Sequence, residues 1–399
     1  MGACPEGVFP IIHTPYDYYD PLDRMTAETA VGTGMKITCS RDELAASLGI
    51  VSRGLSTRGT VQILAGVMLQ VENGSLELAS TDMELSLRAR VDVQVEGEGS
   101  AVVPGRLLTD IARLLPEDQV VLEHKVEEST VYVTSGSSES RLRTYAVEDF
   151  PRLPDTAAAS LSTLDSEPLL ETITRVSRAA SRDESRPVLT GILVRFEGSS
   201  LVMAATDSYR MAVKETSVTG SPPELDAIVP ARALDELRRI ATGTSEIRLG
   251  TLENHAVFGV DDVWLTTRRI DGQFPNYHQL LPEAFEHDVK LPREEFLEVI
   301  RRAGVMAQRS TPLRLRFAEG ELTVSAQTQD IGEAREQMPI GFSGEPLEIG
   351  FNPNWLRDGI ESVVEDELTL RLINPLRPAV IAESGGDFWY LIMPIRLAG

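Results

Sequence analysis

The chain has 399 residues, 42% of them hydrophobic, with 61 acidic residues against 38 basic ones and a net charge of −23. That length holds two or three hydrophobic cores, and the acidic sum speaks against a surface given over to nucleic acid, since phosphate binding needs Lys and Arg. Two cysteines, Cys4 and Cys39, cannot staple several domains, and no apolar run reaches the ~20 residues of a membrane span, so a disulfide scaffold and a membrane helix are excluded and a reducing compartment is expected.

Residues 1–34 have no basic start followed by a long apolar run, so they are not a secretory signal. They carry TPYDYYDPLD and no period. They are read as a disordered tail or a mis-called start, with Met35 as the natural first residue.

From Met35 the chain repeats itself. Asp82 in ASTDMELSLRARV and Asp207 in AATDSYRMAVKET lie 125 residues apart. Val103-Pro104 and Val229-Pro230 each open a helical stretch, and Phe150-Pro151 and Phe274-Pro275 follow them. A third opening, Phe351-Asn352-Pro353, comes 123 residues after Pro230. Three anchors with one common offset mean three tandem units, placed at 35–155, 163–283 and 287–399.

In the first unit, Leu44, Leu48 and Val51 have helical spacing. The runs VMLQV, SLELAST and ELSLRARVDVQV then alternate, with Glu72-Asn73-Gly74 between the first two, as antiparallel hairpins do. A second helix at Arg106–Leu115 sets Leu107, Ile111 and Leu114 on one apolar face. Further strands follow at QVVLEH, TVYVTS and SRLRTYAV. The second unit repeats the order, with helices at Pro168–Ser181 and Ala231–Ile240. The third has them at Arg293–Met306 and Trp355–Val364. Each unit is thus doubled, one helix and three or four strands given twice, and the class is α+β with antiparallel sheets.

No constellation for catalysis emerges. The five histidines are scattered, no Cys pair has metal spacing, and there is no glycine-rich phosphate loop or nucleophile elbow. Cofactors and metals are not expected. Asp207 with His278 is the one pair from which a hydrolase could be built. A Thr-Asp pair at the same place in two units reads better as an Asp capping a turn between strands. Five of the six helix segments carry a small positive excess, and only Asn352–Asp366 is negative. The acid is therefore concentrated on strands, loops and the N-terminal segment.

These features together resemble the bacterial DNA polymerase III beta subunit family, the sliding clamps. ATDSYRMAV resembles the family's Ala-Thr-Asp-x-x-Arg-Leu-Ala-Val. FPNYHQLLP resembles its Phe-Pro-Asp-Tyr segment, and YLIMPIRL resembles its closing Met-Pro-Met-Arg-Leu. The resemblance implies a homodimeric six-domain ring, helices lining the hole, around double-stranded DNA held without sequence preference. It implies a non-catalytic processivity factor, cytoplasmic and nucleoid-associated, whose partners are the polymerase alpha subunit, a clamp loader and other clamp-motif proteins. A specialised second clamp copy with an altered groove is the alternative.

Carried over by position, the resemblance places a partner-peptide groove at Leu189, Thr206, Ser208, Tyr209, Arg210, Met211, Pro275, Leu280, Asn352, Trp355, Leu376, Pro378, Met393, Pro394, Ile395 and Arg396. Ser208-Tyr209, Trp355 and Ile395 depart from the residues usual there. Arg58 and Arg182 are the expected DNA-facing positions. Arg141, Leu142 and Arg143 are expected to meet Val305, Met306, Glu333 and Glu336 across the dimer seam.

Overall fold

The computed structural model describes residues 34–56, 61–219, 223–307, 311–328 and 331–397. The expected N-terminal tail, Gly34 apart, and Arg58 lie outside the described residues. Seven α-helices occur among them. They are α1 (Arg41–Val51), α2 (Gly105–Leu114), α3 (Ser166–Ser177), a single turn α4 (Pro187–Thr190), α5 (Ala231–Ile240), α6 (Arg293–Gly304) and α7 (Pro353–Glu361). Apart from α4, they follow the expected order, and they pack in pairs within each unit, α1 on α2, α3 on α5 and α6 on α7.

The apolar stripe of α1 is buried as its spacing predicts. That of α2 is not. Leu108, Ala112 and Leu115 are buried, while Leu107 is 54% and Leu114 83% exposed. The cause is Gly105. A Cβ there would stand 2.7 Å from Leu55 and from Val67, so this backbone lies directly against the core. Position 105 sets the helix phase, and the buried face runs on through 108 and 112. Leu107 and Leu114 point away, and Ile111 packs at the edge of the core.

All strand pairs are antiparallel, which four sheets share. One sheet of five strands lies wholly in the first unit and ends on the edge strand Ser138–Arg143. One of four strands lies wholly in the third unit and ends on the edge strand Gly332–Pro339. The two sheets between them have eight strands each, and each crosses a unit boundary. Strand Leu85–Asp92 of the first unit pairs with Val263–Arg268 of the second, Leu87 opposite Leu265. Strand Arg210–Ser217 of the second pairs with Phe388–Ile392 of the third, Ala212 opposite Tyr390. These are the first and second joints of the chain. The second unit's opening strand, Ser160–Asp165, starts ahead of the boundary expected at 163.

Ion pairs reinforce the joints. At the first, Arg53 lies 3.7 Å from Glu236, and Arg232 pairs with Asp82. At the second, Arg178 bonds Glu361 at 2.7 Å. Arg175, 3% exposed, bonds Glu383 at 2.5 Å, donates to the Ser362 carbonyl and lies over the Phe388 ring.

The two Thr-Asp pairs are turn caps, as expected. Asp82 accepts the amides of Glu84 and Leu85, and Asp207 those of Tyr209 and Arg210. Each turn bends through a residue in the left-handed region, Met83 at φ 77° and Ser208 at φ 80°. Such a φ costs a non-glycine residue about 1–3 kcal/mol. Ser208→Gly should therefore raise the unfolding midpoint by a few degrees, read by calorimetry, and Asp207→Ala should lower it. Glu383→Ala should cost about 3 kcal/mol, because the buried Arg175 guanidinium is left with only the half-exposed Glu171 as its acid and the Val364 amide loses its acceptor. Chemical denaturation of that variant against the parent is the check.

Candidate partner groove and helix face

Of the expected groove residues, Thr206, Ser208, Tyr209, Arg210, Met211, Asn352, Trp355 and Met393 come together at the second joint, and Leu376, Ile395 and Arg396 line one cavity. Tyr209 leaves the Asp207 turn half-exposed, and its ring stacks on Trp355, centroids 5.1 Å apart and planes at 15°. Trp355 stands in the first turn of α7, where Asn352 caps the helix by accepting the amides of Asn354 and Trp355. The Met393 amide donates to the Tyr209 carbonyl, which ties the C-terminal strand to the turn. One tight turn, one helix start and one strand end therefore hold Tyr209, Trp355 and Met393 together. Leu280, Leu376 and Met393 are all exposed, and Leu189, Pro275, Pro378, Pro394 and Ile395 are partly so.

Three of the expected groove residues are occupied within the fold. The Thr206 hydroxyl donates to the Arg210 carbonyl and accepts the Ser208 amide. Met211 is 2% exposed. Arg210 is held by Asp207 at 2.9 Å and Asp358 at 2.5 Å and reaches the Tyr390 hydroxyl. Burial alone would lower the Arg210 pKa, but Tyr390, Asp358 and Asp207 together raise it above its ordinary value. Burial drives the Tyr390 phenol upward as well, so it stays protonated and donates to the Trp355 carbonyl. Arg210 is a strut across the joint.

Around the C-terminal strand lies a cavity of about 310 Å³, lined by Glu348, Gly350, Pro375, Leu376, Ile395, Arg396 and Leu397. Sequence reading found Leu376, Ile395 and Arg396 and missed the other four. Gly350 was the available signal. A Cβ there would meet Leu397 at 2.6 Å and the Ile395 carbonyl at 2.8 Å, so glycine lets the tail cross this strand.

The two joints differ chemically at equivalent positions. At the second, Leu193, Val202, Val213, Tyr277, Val380 and Leu391 form a small separate apolar cluster. Residues 125 earlier than Val202, Val213 and Trp389 are Glu77, Arg88 and Trp264. With Arg248 and Asp155 they line a polar cleft of about 530 Å³.

On the helix face, most arginines come with a carboxylate. Glu236, 7% exposed, bonds Arg239 at 2.5 Å besides standing near Arg53. Glu361 takes Arg178 and Arg301, and Glu336 takes Arg302 at 2.8 Å. Arg106, Arg113 and Arg182 are exposed, with no ion pair among the described residues.

The seam residues sit at the two ends of the chain. Arg141 and Arg143 are exposed on the edge strand Ser138–Arg143, and Arg141 bonds Glu139 at 2.8 Å. Leu142 is 3% exposed and belongs to the first unit's own core. Val305 is 80% exposed just beyond α6, and Met306 is half-buried. Glu333 is exposed on the opposite edge strand, and Glu336 is engaged by Arg302.

Nothing among the described contacts supports the hydrolase reading. All the acceptor capacity used by Asp207 goes to the turn and to Arg210, and the His278 ring rests against Tyr277.

Comparison with known proteins agrees with this layout. Models of the N-terminal, central and C-terminal domains of the DNA polymerase III beta subunit match residues 35–154, 163–276 and 278–396. A beta sliding clamp of Streptomyces coelicolor is 35% identical, covering 92% of this chain and all of that protein. A beta sliding clamp homolog, GriR of Streptomyces muensis, is 31% identical over 91% of this chain and 99% of its own length. The crystal structure of a C. crescentus beta sliding clamp superimposes with a TM-score of 0.87 at 26% identity, covering 91% of this chain and 99% of that one. A Pseudomonas aeruginosa clamp solved with griselimycin superimposes with a TM-score of 0.84 at 29% identity, over 92% and 100%. The chain belongs to the DNA polymerase III beta subunit family, the bacterial beta sliding clamps.

Proposed function

We infer that the protein is a DNA sliding clamp, a non-catalytic processivity factor that encircles duplex DNA and tethers the replicative polymerase. The observation that carries this is the chain's open ends. Two joints are closed by strand pairing within the chain, and the strands Ser138–Arg143 and Gly332–Pro339 of the end units each stand at a sheet edge with no partner on their outer side. Unpaired edges of this length are a liability unless another chain covers them. Two copies joined head to tail close a ring of six units and cover both of these edges.

The helix face suits sliding. Arginines that already hold a carboxylate attract phosphate weakly, and phosphate contacts carry no sequence information. Retention then comes from topology, so few strong contacts are required. Arg182, Arg106 and Arg113 are the guanidiniums we assign to DNA, with Arg58 expected beside them. The outer strands keep most of the acid, which disfavours DNA bound on the wrong side. Among the described residues no helix is long and apolar enough to cross a membrane, and we place the protein in the cytoplasm with the nucleoid.

The groove at the second joint is the docking site for a short peptide of the polymerase, the clamp loader and other partners. Leu280, Leu376, Met393 and the Tyr209–Trp355 pair supply apolar area, and Arg396 the charge at its rim. Met393→Ala or Trp355→Ala should weaken a polymerase-derived clamp peptide about tenfold or more, since aromatic and Met side chains that become buried on binding carry much of the affinity of such interfaces. Fluorescence polarisation with wild-type melting behaviour is the measurement. A parent affinity far below that of a housekeeping clamp would instead favour the second-copy reading, which the Tyr209–Trp355 stack makes chemically distinct.

The ring itself is tested by loading the protein on nicked circular DNA and then cutting the circle. Release on linearisation is expected, with retention on the closed circle nearly independent of salt. A protein held by phosphate contacts alone would lose roughly 10³–10⁵ in affinity between 50 and 200 mM salt and would ignore the cut.

A further inference from the structure

The two internal joints are copies of each other, and they specify how a third is made. The ladder at the first joint sets Ser86 opposite Thr266, and that at the second sets Met211 opposite Leu391. Both partners advance by 125 residues. The same positions can be located in the two unpaired edges. In the first unit, the edge strand Ser138–Arg143 starts opposite Ser135 as Val263 starts opposite Val260, again 125 apart. Position 266 therefore corresponds to Arg141. In the third unit, helix caps and ladders carry Pro104 and Pro230 to Asn352, and then Thr81 and Thr206 to Gln327. Opposite Thr81 stands Ser86, opposite Thr206 stands Met211, and opposite Gln327 stands Glu333.

Resting on the ring reading above, we propose that the seam between two copies of this chain is an antiparallel ladder with Arg141 of one opposite Glu333 of the other. Glu139 then falls opposite Arg335. Three observations agree. Arg141, Glu139, Glu333 and Arg335 are all exposed, while Ser140 and Ala334, which would face each other between them, are half-buried, so the two faces match. A slip of one residue would mismatch every face. A slip of two residues one way sets Arg141 against Arg335, and the other way sets Glu139 against Glu333, both like-charge pairs.

The helix side obeys the same equivalence with different chemistry. Position 53 of the first joint and 178 of the second hold arginines that pair with acids on the neighbouring unit. The third equivalent, just past α6, is Val305, which is 80% exposed. The Tyr209–Trp355 stack that spans the second joint corresponds to Ile331 and Leu107, exposed by 60% and 54%. Polar and aromatic contacts that suffice within one chain are replaced by aliphatic side chains where two chains must meet. Leu114 extends that stripe on α2. The face that α2 turns away from its core is the surface a second copy covers. On closure, Arg141 exchanges its bond to Glu139 of the same strand for Glu333 across the seam.

Charge exchange tests the register. Arg141→Glu and Glu333→Arg should each raise the dimer dissociation constant about tenfold, counting two seams per ring and a few-fold per exposed pair. The double variant carries the reversed pair in both seams and should return to within about threefold of the parent. Sedimentation equilibrium is the readout, with melting curves to show that each variant folds. Arg141→Glu with Glu336→Arg is the control pairing and should not recover. Leu107→Asp, at an exposed position, should yield a folded monomer at micromolar concentration. A double variant no tighter than either single one overturns the register while leaving a dimeric ring. A parent protein that is itself monomeric at that concentration overturns the ring reading.

Discussion

Strand pairing across the unit boundaries is the constraint on which the rest of the molecule depends. A unit of about 120 residues could close its own sheets, and these units do not. Each lends its edge strand to its neighbour, so that Leu85–Asp92 is completed only by Val263–Arg268, and Arg210–Ser217 only by Phe388–Ile392. The angle between neighbouring units is then set by a backbone ladder rather than by a linker. Relative motion would require breaking several hydrogen bonds and opening the buried pair of Arg175 with Glu383. A rigid arc follows, and a rigid arc with two bare edges can close without a costly rearrangement. The same sharing builds the proposed partner groove, because Tyr209 and Trp355 come from different units and meet only at the completed second joint.

The charge distribution becomes intelligible on that scaffold. A net charge of −23 reads as hostile to DNA when it is treated as one number. Placed in space, the helix arginines are tied to carboxylates at the joints such as Glu236, which is buried, and Glu361, which is partly buried. The carboxylates serve the joint, and the arginines they hold give a face that is only mildly attractive to phosphate. A face of free arginines would bind DNA tightly and resist translation along it. The balance between joint stability and DNA mobility thus falls on one set of ion pairs.

Much of this was legible in the sequence, because repeats survive as spacing. The offset of 125, the Val-Pro helix openings and the role of Asp82 and Asp207 as turn caps follow from residue types whose backbone preferences are strong. The orientation of α2 did not follow. Leu107, Ile111 and Leu114 have helical spacing, and so do Leu108, Ala112 and Leu115. Periodicity alone cannot choose between two apolar faces of one helix. Gly105 decided it, through a close approach to Leu55 and Val67 that only coordinates reveal. The availability of Arg210 was equally hidden, since its acids, Asp207 and Asp358, lie 151 residues apart in the chain. Motif likeness placed it in the groove, and packing made it a strut.

The two joints share a ladder and an ion-pair plan, so the proposed confinement of peptide docking to the second needs its own cause. Beside the second joint, Val202 and Val213 join Leu193, Val380 and Leu391 in an apolar cluster under Tyr277. The equivalent residues at the first joint are Glu77 and Arg88, which lie 3.8 Å apart, and Arg88 also bonds the Pro154 carbonyl of the linker that passes there. An apolar peptide side chain entering that cleft would have to displace water from paired charges and gain no comparable apolar contact. At the proposed groove the same side chain would meet Leu376, Met393 and the Tyr209–Trp355 pair, and each Å² it buried would contribute about 25 cal/mol. The two clefts are equivalent in the ladder, and the residues at a few positions along one strand pair make only one of them apolar.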